Sequence, residues 1–205
     1  MNIVQTKYPL VAQRGKVEYL NEHQANAMTE AWQEWYENTK TPGLRRLRGK
    51  YWLTYLMLRF TGCRLGECLL IDDTQDIDYR NYEIKILTLK LRRRTIRTVP
   101  VPPQVVAEIL RYLAEFPDQR GKVFRVQQGN FRRMFYELAQ KANIPKHLGH
   151  PHVLRHTRAI EMLKAGVPIT SVQDILGHSS VSTTAIYLRL SGAETKLILK
   201  ERGLI

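Results

Sequence analysis

The chain has 205 residues, 43% of them apolar, and carries 32 lysines and arginines against 19 acids, for a net charge of +13. That length and apolar share exclude a disordered tail and allow one compact domain, or at most two small ones. The cationic excess points to an anionic partner, nucleic acid first among them.

Residues 1–20 read as an irregular lead-in, and MNIVQTKYPLVAQRGK has no apolar run of signal-peptide length. Asn21 is a helix-capping residue type and opens a predicted helix to about Asn38, which Thr41-Pro42-Gly43 breaks. LRRLRGKYWLTYLMLRF is a second predicted helix, basic at its start, apolar later, and ended by Gly62. Its most apolar window, YWLTYLMLRF, is ten residues long and contains Arg59, too short and too charged to span a membrane. A soluble, cytoplasmic protein with no membrane partner is expected. Cys63 and Cys68 are five apart on the next predicted helix, where they point in different directions. They read as buried thiols in a reducing compartment, neither a disulfide nor a metal pair.

Between residues 74 and 101 the pattern changes. DIDY, YEIKILTLK and TIRTVPV place β-branched residues at roughly alternate positions, with Asn81 and Arg92-Arg93-Arg94 as the turns. A small antiparallel sheet follows, its second hairpin tipped by arginine. PPQVVAEILRYLAEF is then a helix with proline at its start, and NFRRMFYELAQKA is another. PHVLRHTRAIEMLKAG has Pro151 in its first turn and Gly166 beyond its end. ITSVQDILG and SVSTTAIYL are short helices separated by Gly177, and GAETKLILKER follows Ser191 and stops at Gly203. The expected fold class is α+β, mainly helical, with one small antiparallel sheet.

Four of the six histidines fall between residues 147 and 156. His152 and His156, at i, i+4, share a helix face as a zinc pair would, but Val153 stands where the glutamate of a zinc-protease helix would be. His152 with Arg155, at i, i+3 near a helix start, makes an anion site, because free backbone N–H groups and the helix dipole add positive potential. Arg64 and Glu67 are also i, i+3. Alone they are an ordinary helical ion pair; in a site, the glutamate would hold the guanidinium fork for two phosphate oxygens.

Taken together, Arg64, Arg155, His152 and His178 can neutralise a phosphate as charge builds on its non-bridging oxygens. Tyr187, nine residues beyond His178, is then a candidate nucleophile. At neutral pH only ~0.1% of a free tyrosine is phenolate, so it needs such a cationic cluster and a proton acceptor. A leaving alkoxide needs a proton donor, and a lysine of the hairpin can serve. With arginines carrying the charge, no metal and no other cofactor is required.

Over roughly Asn21 to Leu190 the chain resembles the catalytic domain of the tyrosine recombinases, the phage-integrase type of site-specific recombinase. The resemblance is carried, in order, by TGCRLGE, the basic hairpin TLKLRRRTIRTVPVP, HVLRHT, and ILGHSSVSTTAIYL with its His-to-Tyr spacing. It implies that Arg64 and Arg155 bind the scissile phosphate and that Glu67 supports Arg64. Lys90 is implied as the general acid for the 5′ oxygen, with Lys85 as the other hairpin lysine. His152 and His178 would position the phosphate and assist proton transfer, and Tyr187 would form a 3′-phosphotyrosine link. The implied function is site-specific recombination or integration on double-stranded DNA without metal or ATP, by a homotetramer on paired sites assembled from a protomer that is a monomer in solution.

Arg92, Arg93 and Arg94 are expected to contact DNA. Residues 1–205 are expected to be a single catalytic domain, with residues 191–205 as a C-terminal tail helix; the resemblance implies that this tail docks on a neighbouring protomer, and packing on its own domain is the alternative. Val153 departs from the acidic residue of many members. So does the N-terminus: most members carry a separate core-binding domain of about a hundred residues, for which this chain has only a lead-in. It reads as a minimal recombinase or a fragment. Two rival functions remain. AIEMLKAGVPITSVQDILGHSSVSTTAIYLRL can be read as the helix-turn-helix of a DNA-binding regulator without catalysis, which would not need Arg64-Glu67 or His152-Arg155. The same chemistry without strand exchange would be a type IB topoisomerase-like nicking and closing activity.

Overall fold

The computed structural model describes residues 17–89, 95–177, 199 and 203–205. Helix α1 spans Glu22–Glu37. It begins at a reciprocal cap in which the Gln24 N–H donates to Asn21 Oδ1 at 2.9 Å and the Asn21 N–H to Gln24 Oε1 at 3.0 Å. Its buried side chains, Ala25, Met28, Trp32 and Tyr36, recur at helical spacing and form one stripe. Helix α2 spans Pro42–Thr61. The proline read as part of a break is instead its first residue, where a missing N–H costs nothing. From Tyr51 to Arg59 every residue of α2 is buried, so this helix runs through the centre of the molecule.

Trp32 stacks on Tyr55 at 5.0 Å and on Phe131 at 5.4 Å between ring centroids, joining α1, α2 and α5 (Gln128–Lys141). Full burial of such a ring stabilises by on the order of 2–3 kcal/mol relative to exposure. Helix α4 (Pro103–Glu115) covers another side of α2, and the Tyr112 hydroxyl donates to the Arg46 carbonyl at 2.9 Å.

The four-residue helix α3 (Leu65–Cys68) leads to a three-stranded antiparallel sheet in the order β1 (Ile77–Asp78), β2 (Glu83–Thr88), β3 (Thr95–Pro100). The β1 strand is shorter than DIDY implied. The Asp78 carboxylate accepts from the backbone N–H groups of Arg80 and Asn81 and turns the chain there. In the β2–β3 register Ile84 faces Val99, Ile86 faces Arg97 and Thr88 faces Thr95. Directly opposed residues share a sheet face, so Arg97 stands on the inner face with Ile84, Ile86 and Val99, which are buried.

Helices α6 (His152–Lys164) and α7 (Ile169–Leu176) close the described part around a second cluster of Ala159, Ile160, Leu163, Val172 and Leu176. The α+β, mainly helical class with one small antiparallel sheet is the observed one. The turn at Arg92–Arg94 and the helices read over SVSTTAIYL and GAETKLILKER lie outside the described residues, apart from Leu199. Among the described residues no helix is long and apolar enough to cross a membrane.

Candidate active site

Helix α2 ends at Gly62, whose left-handed conformation (φ 64°) turns the chain toward Arg64. Arg64 caps α3, and its backbone N–H donates to Glu67 Oε2 at 3.1 Å. Its side chain returns to the same carboxylate, with Nη1 donating to Oε1 at 2.8 Å. Glu67 is fully buried. Burial acts to raise its pKa, but the hydrogen bond and charge of Arg97, and then the bonds from Arg64, outweigh it and hold the carboxyl below its usual range. Glu67 is therefore a fixed anion, and Arg64, a quarter exposed, presents the rest of its guanidinium outward.

Arg155 lies one turn into α6 and is 2% exposed. Its Nη1 donates to the Gly62 carbonyl at 2.8 Å. The C-terminal end of α2 carries unsatisfied carbonyls and the negative pole of the helix dipole, so a guanidinium is well placed there. This bond sets Arg155 two residues from Arg64. His152 opens α6 and is exposed, and its ring meets that of His156 edge-on at 4.6 Å. Burial, then the charges of His152 and Arg155, pushes the His156 imidazole down to about 4, so it is neutral at pH 7. Among the described residues no three His, Cys, Asp or Glu side chains converge as metal ligands would.

A cleft of about 570 Å³ opens between α3, α5 and the start of α6. Arg64, Gly66, Leu89, Gln128, Arg132 and His152 are on its wall. The structure thus brings Arg64, Glu67, His152 and Arg155 together from segments about ninety residues apart in the chain. Lys90, Arg92, Arg93, Arg94, His178 and Tyr187 lie outside the described residues. The other hairpin lysine, Lys85, is exposed on the outer face of β2, opposite to Ile84, Ile86 and Thr88.

Three cationic or polar residues of the site escaped the sequence reading. Arg132 and Gln128 are on the cleft wall because α5 begins at Gln128, two residues before the predicted start. Arg97 donates from Nη2 to Glu67 Oε2 at 2.6 Å, from Nη1 to Thr88 Oγ1 at 2.7 Å and from Nε to the Ile175 carbonyl at 2.9 Å. The available signal was its inward parity in β3, a lone cation on a β2–β3 face that otherwise carries Ile84, Ile86, Thr88, Thr95 and Val99. Cys63 and Cys68 are buried and free, as expected, although Cys63 precedes α3 instead of lying on it.

Comparison with known proteins places this geometry. The phage integrase family matches residues 18–194. The tyrosine recombinase XerA of Pyrococcus furiosus is 32% identical over 165 residues, which cover 75% of this chain and 54% of that protein. The crystal structure of a XerA recombinase superposes with a TM-score of 0.71 at 26% identity, over 95% of this chain and 66% of that one. The XerH site-specific recombinase bound to palindromic difH substrate gives a TM-score of 0.71 at 20% identity, over 90% of this chain and 54% of that one, a likeness of fold. The chain spans about half the length of the curated relatives it matches.

Proposed function

The chain belongs to the phage integrase family, and from that premise we propose that it is a site-specific DNA recombinase that cuts and rejoins strands through a 3′-phosphotyrosine on Tyr187. The observation that carries the proposal is the convergence of Arg64, held by Glu67, with His152 on one cleft, beside an Arg155 anchored to the end of α2. A regulator needs positive charge. It does not need a buried carboxylate whose hydrogen bonds set the direction of a guanidinium.

In this reading the scissile phosphate sits against Arg64 and Arg155, with His152 and His178 at its remaining oxygens. The Tyr187 phenolate attacks phosphorus, the bond to the 5′ oxygen breaks, and Lys90 protonates that oxygen. The exposure of Lys85 on the outer sheet face supports Lys90 as the acid. The ester conserves the energy of the broken bond. Attack by a 5′ hydroxyl from another strand reverses the step, releases the tyrosine and returns the proton to the lysine. The arginines stabilise the added charge, so neither metal nor ATP enters the reaction.

The partner in this reading is double-stranded DNA, which the net charge of +13 suits. Strand exchange takes place in a homotetramer on paired sites, assembled from protomers that are monomeric in solution, with residues 191–205 docking on a neighbour. Arg92, Arg93 and Arg94 contact the DNA, and the enzyme works in the cytoplasm on DNA.

The test is incubation with nicked target DNA followed by denaturing electrophoresis. A covalent protein–DNA band is expected from the wild type and none from Tyr187→Phe, with DNA binding retained. The band should survive excess chelator. No band from the wild type, with binding intact, would point to the regulator. Relaxation of supercoils without joining of two DNA partners would point to a topoisomerase-like activity.

A further inference from the structure

Arg97 is an unusual residue for its position. It stands on the inner face of a small sheet, across from Ile86, with its side chain 10% exposed. An aliphatic side chain would pack there as Ile84 and Val99 do, without the cost of desolvating a cation. The guanidinium instead directs Nη2 to Glu67 Oε2, Nη1 to Thr88 Oγ1 and Nε to the Ile175 carbonyl. These three acceptors belong to three separate elements: α3, β2 and α7.

Each acceptor lies next to a residue of the proposed chemistry. Glu67 holds Arg64 directly. Thr88 lies two residues before Lys90, and Ile175 three before His178. The end of α7 is shaped around the same guanidinium. Gly177 is left-handed (φ 68°), and a Cβ added there would lie 3.0 Å from Arg97 Nη1. Glu67 divides its oxygens accordingly: Oε1 serves Arg64 Nη1, while Oε2 takes Arg97 together with the Arg64 backbone N–H. The short bond from Arg97 fixes the plane of the carboxylate, and that plane sets the direction of the Arg64 fork.

We propose that Arg97 is a positioning residue of the strand-transfer reaction, which orients Arg64 on the scissile phosphate through Glu67 while tying β2 and the end of α7 to the same frame. The proposal rests on the strand-transfer reading given above. Arg97 touches no DNA atom in this role. Its effect is transmitted through a carboxylate that is inaccessible to solvent.

The test compares two substrates. One is nicked DNA with an ordinary scissile phosphodiester. The other carries a methylphosphonate at that position, whose methyl group replaces a charged oxygen and leaves less for Arg64 to neutralise. Single-turnover adduct formation is measured for the wild type, Arg97→Gln and Arg97→Lys, with DNA affinity and thermal unfolding measured in parallel. Arg97→Gln is expected to slow cleavage of the phosphodiester on the order of 10- to 100-fold. Its DNA affinity should stay within about twofold, because Arg97 is not among the groups that release counterions. The loss should shrink on the methylphosphonate, and Arg97→Lys, which keeps the charge beside Glu67 without the fork, should recover part of it. Arg97→Lys also serves as the folded comparison if Arg97→Gln melts early. An equal loss on both substrates would overturn the role, since the defect would then not pass through Arg64. Wild-type rates in both variants, beside an active wild type, would overturn the role of Arg97 alone. A wild type that forms no adduct with either substrate would remove the strand-transfer reading, and the role of Arg97 with it.

Discussion

The Arg155 guanidinium donates to the Gly62 carbonyl at 2.8 Å, across 93 positions of sequence. One bond therefore couples the C-terminal end of the central helix to the first turn of α6. It also makes Gly62 a demanding position. Gly62 is left-handed, and a Cβ there would lie 2.6 Å from Leu176 Cδ2, within a fully buried cluster. Gly62→Ala should cost about 1–2 kcal/mol from the backbone alone, with the Leu176 clash added. A fall in melting temperature of about 4 °C or more is the expected result in thermal unfolding, together with slower adduct formation. Gly43→Ala is the control. It lies in the first turn of α2 with nothing within 4 Å of its added Cβ, and should leave the melting temperature equal or higher.

Two ion pairs of similar length should behave differently. Arg59 grips Glu161 with both terminal nitrogens at 2.7 and 2.6 Å, and its side chain is 10% exposed. Arg45 meets Glu115 at 2.7 Å near the surface, with side chains 25% and 36% exposed. Glu161, 31% exposed, covers a nearly buried cation, so Glu161→Ala should cost up to about 3 kcal/mol, the low end for a buried pair, whereas Glu115→Ala should cost about 1 kcal/mol or less. Chemical denaturation of both variants, with unchanged slopes, checks the contrast. Similar losses would mean that the Arg59 pair is as well solvated as the surface one.

What was legible in the sequence follows from how far each interaction reaches. The Asn21–Gln24 cap, the stop at Gly62, the proline start of α4 and the Arg64–Glu67 pair are all settled within four residues, where spacing and residue type decide the outcome. Arg155 to Gly62 and Arg97 to Glu67 span 93 and 30 positions, and no local pattern pairs either arginine with its acceptor. Pro42 was read as a breaker because proline both ends and begins helices, and only packing of the following turn selects between them. The cysteines were read correctly as buried free thiols, but Cys63 was placed on a helix that starts only at Leu65, after the left-handed Gly62.

The stability of the fold should depend on pH through His156. Its imidazole is pushed down to about 4 in the folded chain, against an ordinary value of 6.5. Because the folded pKa is the lower one, the unfolded chain binds more protons between these values, so stability rises with pH across that window. Acidification from pH 7 should therefore lower the melting temperature, with the His156 contribution lost progressively between about pH 6.5 and 4. Glu67, whose pKa is also depressed, adds a loss of the same sign as pH falls. His156→Gln, which cannot take up the proton, separates the two. Its melting curve should be flatter than that of the wild type between about pH 6.5 and 4 and parallel below that window. Identical slopes would show that His156 does not titrate differently in the folded chain.

Arg132 and the hairpin arginines make separate predictions about DNA binding. Arg132 is exposed on α5, on the same cleft wall as Arg64 and His152. A phosphate bound in that cleft would lie within the field of all three. Arg132→Ala should weaken binding by a similar factor on different DNA sequences, because a phosphate contact carries no base information. It should also flatten the slope of log K against log salt by about 1, the yield of one neutralised phosphate. Alanine at Arg92, Arg93 and Arg94 together should flatten that slope further, by up to about 3 if each side chain meets a phosphate. The measurement is equilibrium binding to a short duplex at several salt concentrations, for the wild type and both variants. A salt slope unchanged in Arg132→Ala would place α5 away from the backbone of the DNA. A slope unchanged in the triple variant would remove the hairpin tip from the interface, and the charge that attracts DNA would then have to lie elsewhere on this chain.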